Sequence, residues 1–272
     1  MKHMLVVVAH PTDESFIFGG MIAKYAASGW NIRLISAVSQ TADDISSDIR
    51  QRELEKVGQI LGVSDTKFLG FSEGKLSSIA PGTLEDMLEQ QMKTLLPDVV
   101  VTFGTLGINN DPDHQKVCYA TTYAFQKYAK HLWKLSQPEA FAKGRGKEWK
   151  QYEYTRAFGT TGAYEKEPKL YYACYPKSVV EYLQKIKSLP LESYGKPWLG
   201  TEDKSITTVL DIKNVKSKKR NALLSYESCK EEIEPFVTFE KNPYLIHEYY
   251  LLRMQGVYEV FMGKSDRYQD SL

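Results

Sequence analysis

The sequence predicts an α/β fold built on a Rossmann-like, doubly wound, mainly parallel sheet. Three observations carry that prediction. Apolar runs of strand length alternate with segments of helical period through the first ~130 residues. The runs are apolar throughout rather than alternating, as strands covered on both faces are. Polar loops follow the first and fourth strands at their carboxyl ends, where an open α/β sheet binds its ligands.

The elements follow in order. Met4 to Ala9 is a short apolar strand that stops at His10. Pro11 bars an ordinary helical turn, and Asp13 stands three positions after the histidine. From Ser15 to about Ala27 the pattern is helical, with Phe16, Met21, Ile22, Tyr25 and Ala26 near one face, and Gly29 ends it. Asn31 to Val38 is a second strand, and Ser39 to Ser47 reads as a polar loop. Arg50 to Leu61 is a helix with Leu54, Val57, Ile60 and Leu61 inward, stopping at Gly62. Thr66 to Leu69 is a short strand before the loop Ser72-Glu73-Gly74. Leu84 to Leu96 is a helix closed by Pro97, and Asp98 to Phe103 is the fourth strand. A second polar loop runs from Gly104 to Asp113, and His114 to Trp133 is a long amphipathic helix.

Beyond it, Gln137 to Thr161 is charged and glycine-containing, an expected insertion or surface excursion. Lys169 to Cys174 and Ile206 to Ile212 are strands, and Ser178 to Leu189 is a helix. Val215 to about Cys229 reads as a helix whose basic face is solvated. His247 to Met262 reads as a final aromatic-rich helix or helix pair, a lid or an interface. With no internal repeat and no low-complexity linker, residues 1–272 are expected to form one domain, and a homo-oligomer is compatible with this pattern.

Composition excludes several classes. The formal net charge is +1, so no basic excess argues for nucleic acid or an anionic membrane surface. No stretch approaches the ~18–20 apolar residues of a membrane span. The three cysteines are scattered, with neither a disulfide framework nor a CxxC knuckle, and a soluble cytoplasmic protein is expected. No GxGxxG follows the first strand, which argues against a nicotinamide cofactor.

In the common doubly wound order the first and fourth strands are neighbours, and a crevice opens between their carboxyl ends. His10 and Asp13 follow the first strand; Asp111, Asp113 and His114 follow the fourth. Two histidines and a carboxylate there make a metal set with open positions, suited to zinc or another divalent ion, one per chain. The plainer alternative is that Asp13 caps a helix and His10 is an ordinary loop residue.

Ala9-His10-Pro11-Thr12-Asp13-Glu14 and Asp111-Pro112-Asp113-His114 resemble the A-H-P-D-D-E and H-P-D-H signatures of the PIG-L/LmbE-like zinc-dependent N-deacetylases. Gly19-Gly20, the Arg50-Gln51-Arg52-Glu53 run before Leu61-Gly62-Val63, and Ser72-Glu73-Gly74-Lys75-Leu76 are similar to further pieces of that family. The resemblance covers about residues 4–133 well. It implies a metal held by His10, Asp13 and His114 and an N-acetyl amino-sugar derivative as substrate. It further implies substrate contacts from Arg50, Thr12 and Glu73. The family's general base is the first aspartate of D-D-E, and here that position is Thr12, whose hydroxyl cannot accept a proton at neutral pH. The first histidine of H-P-D-H is Asp111, and a late histidine is replaced near Tyr226. Asp111 is then the candidate relocated base, with Asp113 as its catalytic neighbour and Glu14 a weaker choice. The competing expectation is a catalytically degenerate zinc- or sugar-binding homologue.

Overall fold

The N-terminal apolar run becomes β1 (His3–Val8), at the centre of the sheet in the computed structural model, which describes residues 1–40, 44–135, 167–238, 242–260 and 271–272. Its side chains are buried on both faces, as the unbroken apolar run requires. β2 (Asn31–Gln40), β3 (Asp65–Ser72), β4 (Val99–Phe103) and β5 (Lys169–Cys174) complete a parallel array in the order β3-β2-β1-β4-β5. β9 (His247–Gln255) continues the sheet antiparallel to β5, and its outer edge pairs with β8 (Thr208–Asp211) and β10 (Tyr258–Glu259). A separate hairpin joins β6 (Glu192–Ser193) to β7 (Lys196–Pro197). Met4, Leu5 and Val6 of β1 face Val99, Val100 and Val101 of β4 in register, so the two strands release their loops side by side.

The helices are α1 (Asp13–Ile17), α2 (Gly19–Ala27), α3 (Asp44–Leu61), α4 (Thr83–Leu95), α5 (Pro112–Leu135), α6 (Lys177–Lys185), α7 (Lys216–Leu224) and α8 (Lys230–Thr238). Among the described residues no helix is long and apolar enough to cross a membrane. The excursion expected at 137–161 lies outside the described residues.

Four expectations are corrected. The first helix is two helices, broken at Phe18. The backbone N–H groups of Gly20 and Met21 open α2 and donate to Glu248 of β9, at 2.8 and 2.7 Å. A carboxylate on a new helix N-terminus satisfies donors that a continuous helix would have paired internally. At Gly20 a Cβ would lie 2.4 Å from Ile212 Cδ1, so only glycine lets α2 lie this close. The expected final helix is instead the strand β9, wedged between β5 and β8 with Glu248, Tyr250, Leu251 and Met254 buried; it is neither lid nor surface. The polar stretch after β2 is already helical from Asp44. The basic helix stops at Leu224, a further helix follows it, and its face is not all solvated. Lys219 is fully buried, and its Nζ donates to Glu248 Oε1 at 2.6 Å.

Candidate metal centre

His10 leaves the end of β1 and Asp13 opens α1, so the first loop presents both within four positions. The loop is tight: Asp13 Oδ2 accepts the His10 backbone N–H at 2.8 Å. Thr12 carries the turn at φ 99, a region that branched side chains rarely enter. The second loop ends in Asp111, the N-cap of α5, with Pro112 at the first helical position, where a missing N–H costs nothing. Asp111 Oδ1 accepts from the backbone N–H of Asp113 and His114 at 2.7 and 3.3 Å. His114 thereby points from the first turn of α5 across the crevice to Asp13.

The three ligand types meet. One donor atom each from His10, Asp13 and His114 lies within 4.8 Å of the others. His114 Nε2 is 3.1 Å from Asp13 Oδ1, and His10 Nδ1 is 3.6 Å from Asp13 Oδ2. The outer nitrogen of each ring is anchored elsewhere. His114 Nδ1 donates to the Gly107 carbonyl at 3.0 Å, and the ring stacks on Phe103 at 4.1 Å. His10 Nε2 lies 3.1 Å from Asp113 Oδ2. Asp113 is itself held by the backbone N–H groups of Gly74 and Leu76 at 2.6 and 3.2 Å. Such outer anchors fix the tautomer of a metal-binding histidine and leave the inner nitrogen free for the ion. The donor set fits zinc, with coordination positions to spare.

Charge in the crevice favours a cation. Burial lowers the basicity of His10, yet the Asp113 hydrogen bond and the charges of Asp13, Asp111 and Asp113 raise its pKa to about 9. Burial likewise opposes protonation of His114, but Asp13 and Asp111 outweigh it and the pKa is raised. Asp13 is held below the usual carboxylate range, its two histidine neighbours overcoming burial. The carboxylates that raise the basicity of both rings favour the positive charge that a divalent ion would bring.

The other expected residues fall around this core. Arg50 Nη1 lies 3.9 Å from Glu73 Oε2, too far for a hydrogen bond, and Glu73 immediately precedes the Gly74 amide that holds Asp113. Glu14 is fully buried beneath the loop and out of substrate reach. It accepts from Ser15 Oγ, the Tyr226 hydroxyl and the Thr12 amide, and burial pushes its pKa up to about 7. Tyr226 also accepts the Thr12 amide at 3.2 Å, which puts it under the first loop. Two further contributors come from outside the two metal loops, and of these only Tyr194 has no local signal in the sequence. The Gly74 and Leu76 amides belong to the loop after β3, and Tyr194 comes from the β6–β7 hairpin, its hydroxyl donating to Asp111 Oδ2 at 2.6 Å.

Known proteins resemble this chain in its N-terminal half and in its fold. Residues 5–125, which hold both loops, match the family model described as PIG-L, GlcNAc-PI de-N-acetylase. The chain is 24% identical to a 1D-myo-inositol 2-acetamido-2-deoxy-alpha-D-glucopyranoside deacetylase of Catenulispora acidiphila, over 92% of this chain and 83% of that one. In fold it is similar to an N,N'-diacetylchitobiose deacetylase from Pyrococcus horikoshii, with TM-score 0.60, 16% identity, and coverage of 97% of this chain and 88% of the other. It is also similar to a 4-carboxy-2-hydroxymuconate hydratase from Pseudomonas putida, with TM-score 0.56, 16% identity, and coverage of 96% and 100%.

Proposed function

Residues 5–125 match the PIG-L family model, and from that premise we propose that this chain is a divalent-metal-dependent hydrolase acting on an N-acetyl amino-sugar derivative. The convergence of His10, Asp13 and His114, each imidazole anchored through its far nitrogen, is the observation that supports it. Zinc bound by this set supplies a Lewis acid for the amide carbonyl and for the attacking water. The chain's own groups do the rest. Asp113 orients His10. Arg50, 3.9 Å from Glu73 Oε2, would hold a polar or anionic part of the substrate, with Glu73 and Thr12 as further contacts. Asp111 Oδ1 is occupied by helix amides, but Oδ2 meets only a neutral phenol among the described residues. Asp111 Oδ2 is therefore the candidate to take a proton from the attacking water and return it to the leaving nitrogen. The three cysteines are buried and free, which suits a reducing, cytoplasmic setting.

A second reading has its own support. Thr12, with no basic side chain, stands where the family signature has its base. On that reading the chain binds zinc or a sugar without deacetylating it.

The test is release of free amine from N-acetylglucosamine and its α-glycosides by zinc-loaded protein. Asp111→Asn keeps an N-cap of equal quality, so fold and zinc should persist while turnover falls by roughly 10²–10⁴-fold. Full activity in that variant would remove Asp111 from proton transfer. Asp13→Ala should abolish metal binding. A wild-type chain that is inactive and gains activity as Thr12→Asp would establish the second reading.

A further inference from the structure

We propose that Tyr194 is a substrate-contacting wall of this site, carried in by the β6–β7 hairpin and held at the crevice mouth by Asp111, against which the pyranose ring of an amino sugar packs. The proposal rests on the amino-sugar reading above and adds a residue to it from outside both metal loops.

Four observations support it. First, Ser193 pairs with Lys196, which leaves Tyr194 and Gly195 as a two-residue turn with φ of 51 and 69. Turns with positive φ at both central residues favour Asn-Gly or Asp-Gly. A tyrosine in the first place carries backbone strain that the hairpin does not need, and strain of this kind gathers where a side chain is held for use. Second, the hairpin is pinned to the second metal loop. Asn110 Nδ2 lies 3.4, 3.3 and 3.1 Å from the carbonyl oxygens of Ser193, Lys196 and Pro197. Third, the phenol hydroxyl donates to Asp111 Oδ2 at 2.6 Å, with Asp113 and Glu73 also acting on it electrostatically. The hydroxyl therefore sits at the second metal loop, held by Asp111. Fourth, the residue remains 57% exposed. Its tip is tied down and its ring is open. A ring held in this way offers flat, rigid contact area at little entropic cost, and it suits the apolar C–H face of a sugar whose hydroxyls meet the polar groups around it. The exposed Tyr119 and Tyr123 lie on α5, away from the two-residue turn and its Asp111 anchor.

The test uses the full zinc-loaded chain as wild type, Tyr194→Asn and Tyr194→Phe. Each is titrated with N-acetylglucosamine and with glucosamine, which has no acetyl group to lose. Asparagine suits the left-handed turn position, so the hairpin should fold as well or better. Tyr194→Asn should keep full zinc content and an equal or higher Tm, and bind sugar about tenfold more weakly. Tyr194→Phe, which keeps the ring, should stay within about threefold of wild type. Three results overturn the proposal: unchanged sugar affinity in Tyr194→Asn, loss of zinc or a lower Tm in that variant, or no binding of either sugar by wild type. Amine release by wild type with unchanged affinity in Tyr194→Asn rejects the role of Tyr194 and leaves the deacetylase reading standing. Affinity that depends on Tyr194 without amine release does the reverse.

Discussion

At His10 and His114 the folded chain fixes which ring nitrogen faces Asp13, because Asp113 and the Gly107 carbonyl hold the other one. Removing such an anchor weakens a metal site without removing a ligand. Asp113→Asn should therefore lower zinc affinity by about 10- to 100-fold while the fold persists, as a zinc titration against a competing chelator would show. Protonation sets the pH dependence. The His10 pKa is raised from 6.5 to about 9 in the metal-free fold. Its charged form therefore stabilises that fold fully below 6.5, and the contribution is lost as pH rises through 9. Zinc must displace the proton on the inner nitrogen of each ring. Apparent affinity should rise between pH 6.5 and 9, by up to about 100-fold per pH unit if both rings release a proton. Calorimetry in buffers of different ionisation enthalpy would count the protons released. An affinity independent of pH would contradict the tautomers assigned by these anchors.

Among the elements, β9 decides most. Its Glu248 carboxylate collects Gly20 N, Met21 N, Lys219 Nζ and the Tyr250 hydroxyl, so one buried group starts α2, docks α7 and binds both to the sheet. Each oxygen of the carboxylate accepts two hydrogen bonds within the cluster, which is the condition for such a group to be tolerated. Burial pulls the Lys219 ammonium below its usual range, against the pull of Glu248. Glu248→Gln leaves that ammonium without a counter-charge and should cost about 3–5 kcal/mol in urea unfolding. The double variant Lys219→Met/Glu248→Gln should recover much of the loss, because no buried charge is then left unpaired. If the single change is harmless, the pair does not hold α2 and α7 to β9.

On the scale of the whole molecule, the candidate metal site brings together two loops whose contacting residues, Asp13 and His114, are 101 positions apart. They meet because β1 and β4 are adjacent and parallel, so both loops emerge at the same edge. An ion bound only by the folded chain stabilises it by mass action. Zinc at 100 times its dissociation constant should add about 2.7 kcal/mol, which for a chain of this length is a rise in Tm of about 5 °C. A chelator should reverse it. Asp13→Ala should show the lower Tm with or without zinc, and a zinc response retained in that variant would place the ion elsewhere.

What could be read along the chain was what short windows encode. The apolar runs of β1 and β4, the proline and aspartates that end them, and the helical period of α3, α4 and α5 are local, and they brought the ligand types to two loops of a doubly wound sheet. Three matters were beyond that range, because each depends on a partner far along the chain. His247 to Gln255 mixes aromatic, aliphatic and charged residues that suit a helix or a strand, and only the free edge of β5 decides for strand. A break at Phe18 has no cause until Glu248 is placed beneath Gly20 and Met21. Asp111 looks like a free acid in sequence, and folding commits one of its oxygens to the start of α5 while the other accepts only the Tyr194 hydroxyl, 83 residues away, among the described residues. Local pattern along the chain placed His10, Asp13 and His114 on two loops at one end of the sheet. Tertiary structure decided which nitrogens and oxygens remain available, because a hydrogen bond to a distant residue selects the reactive atom of a side chain that local sequence can only name.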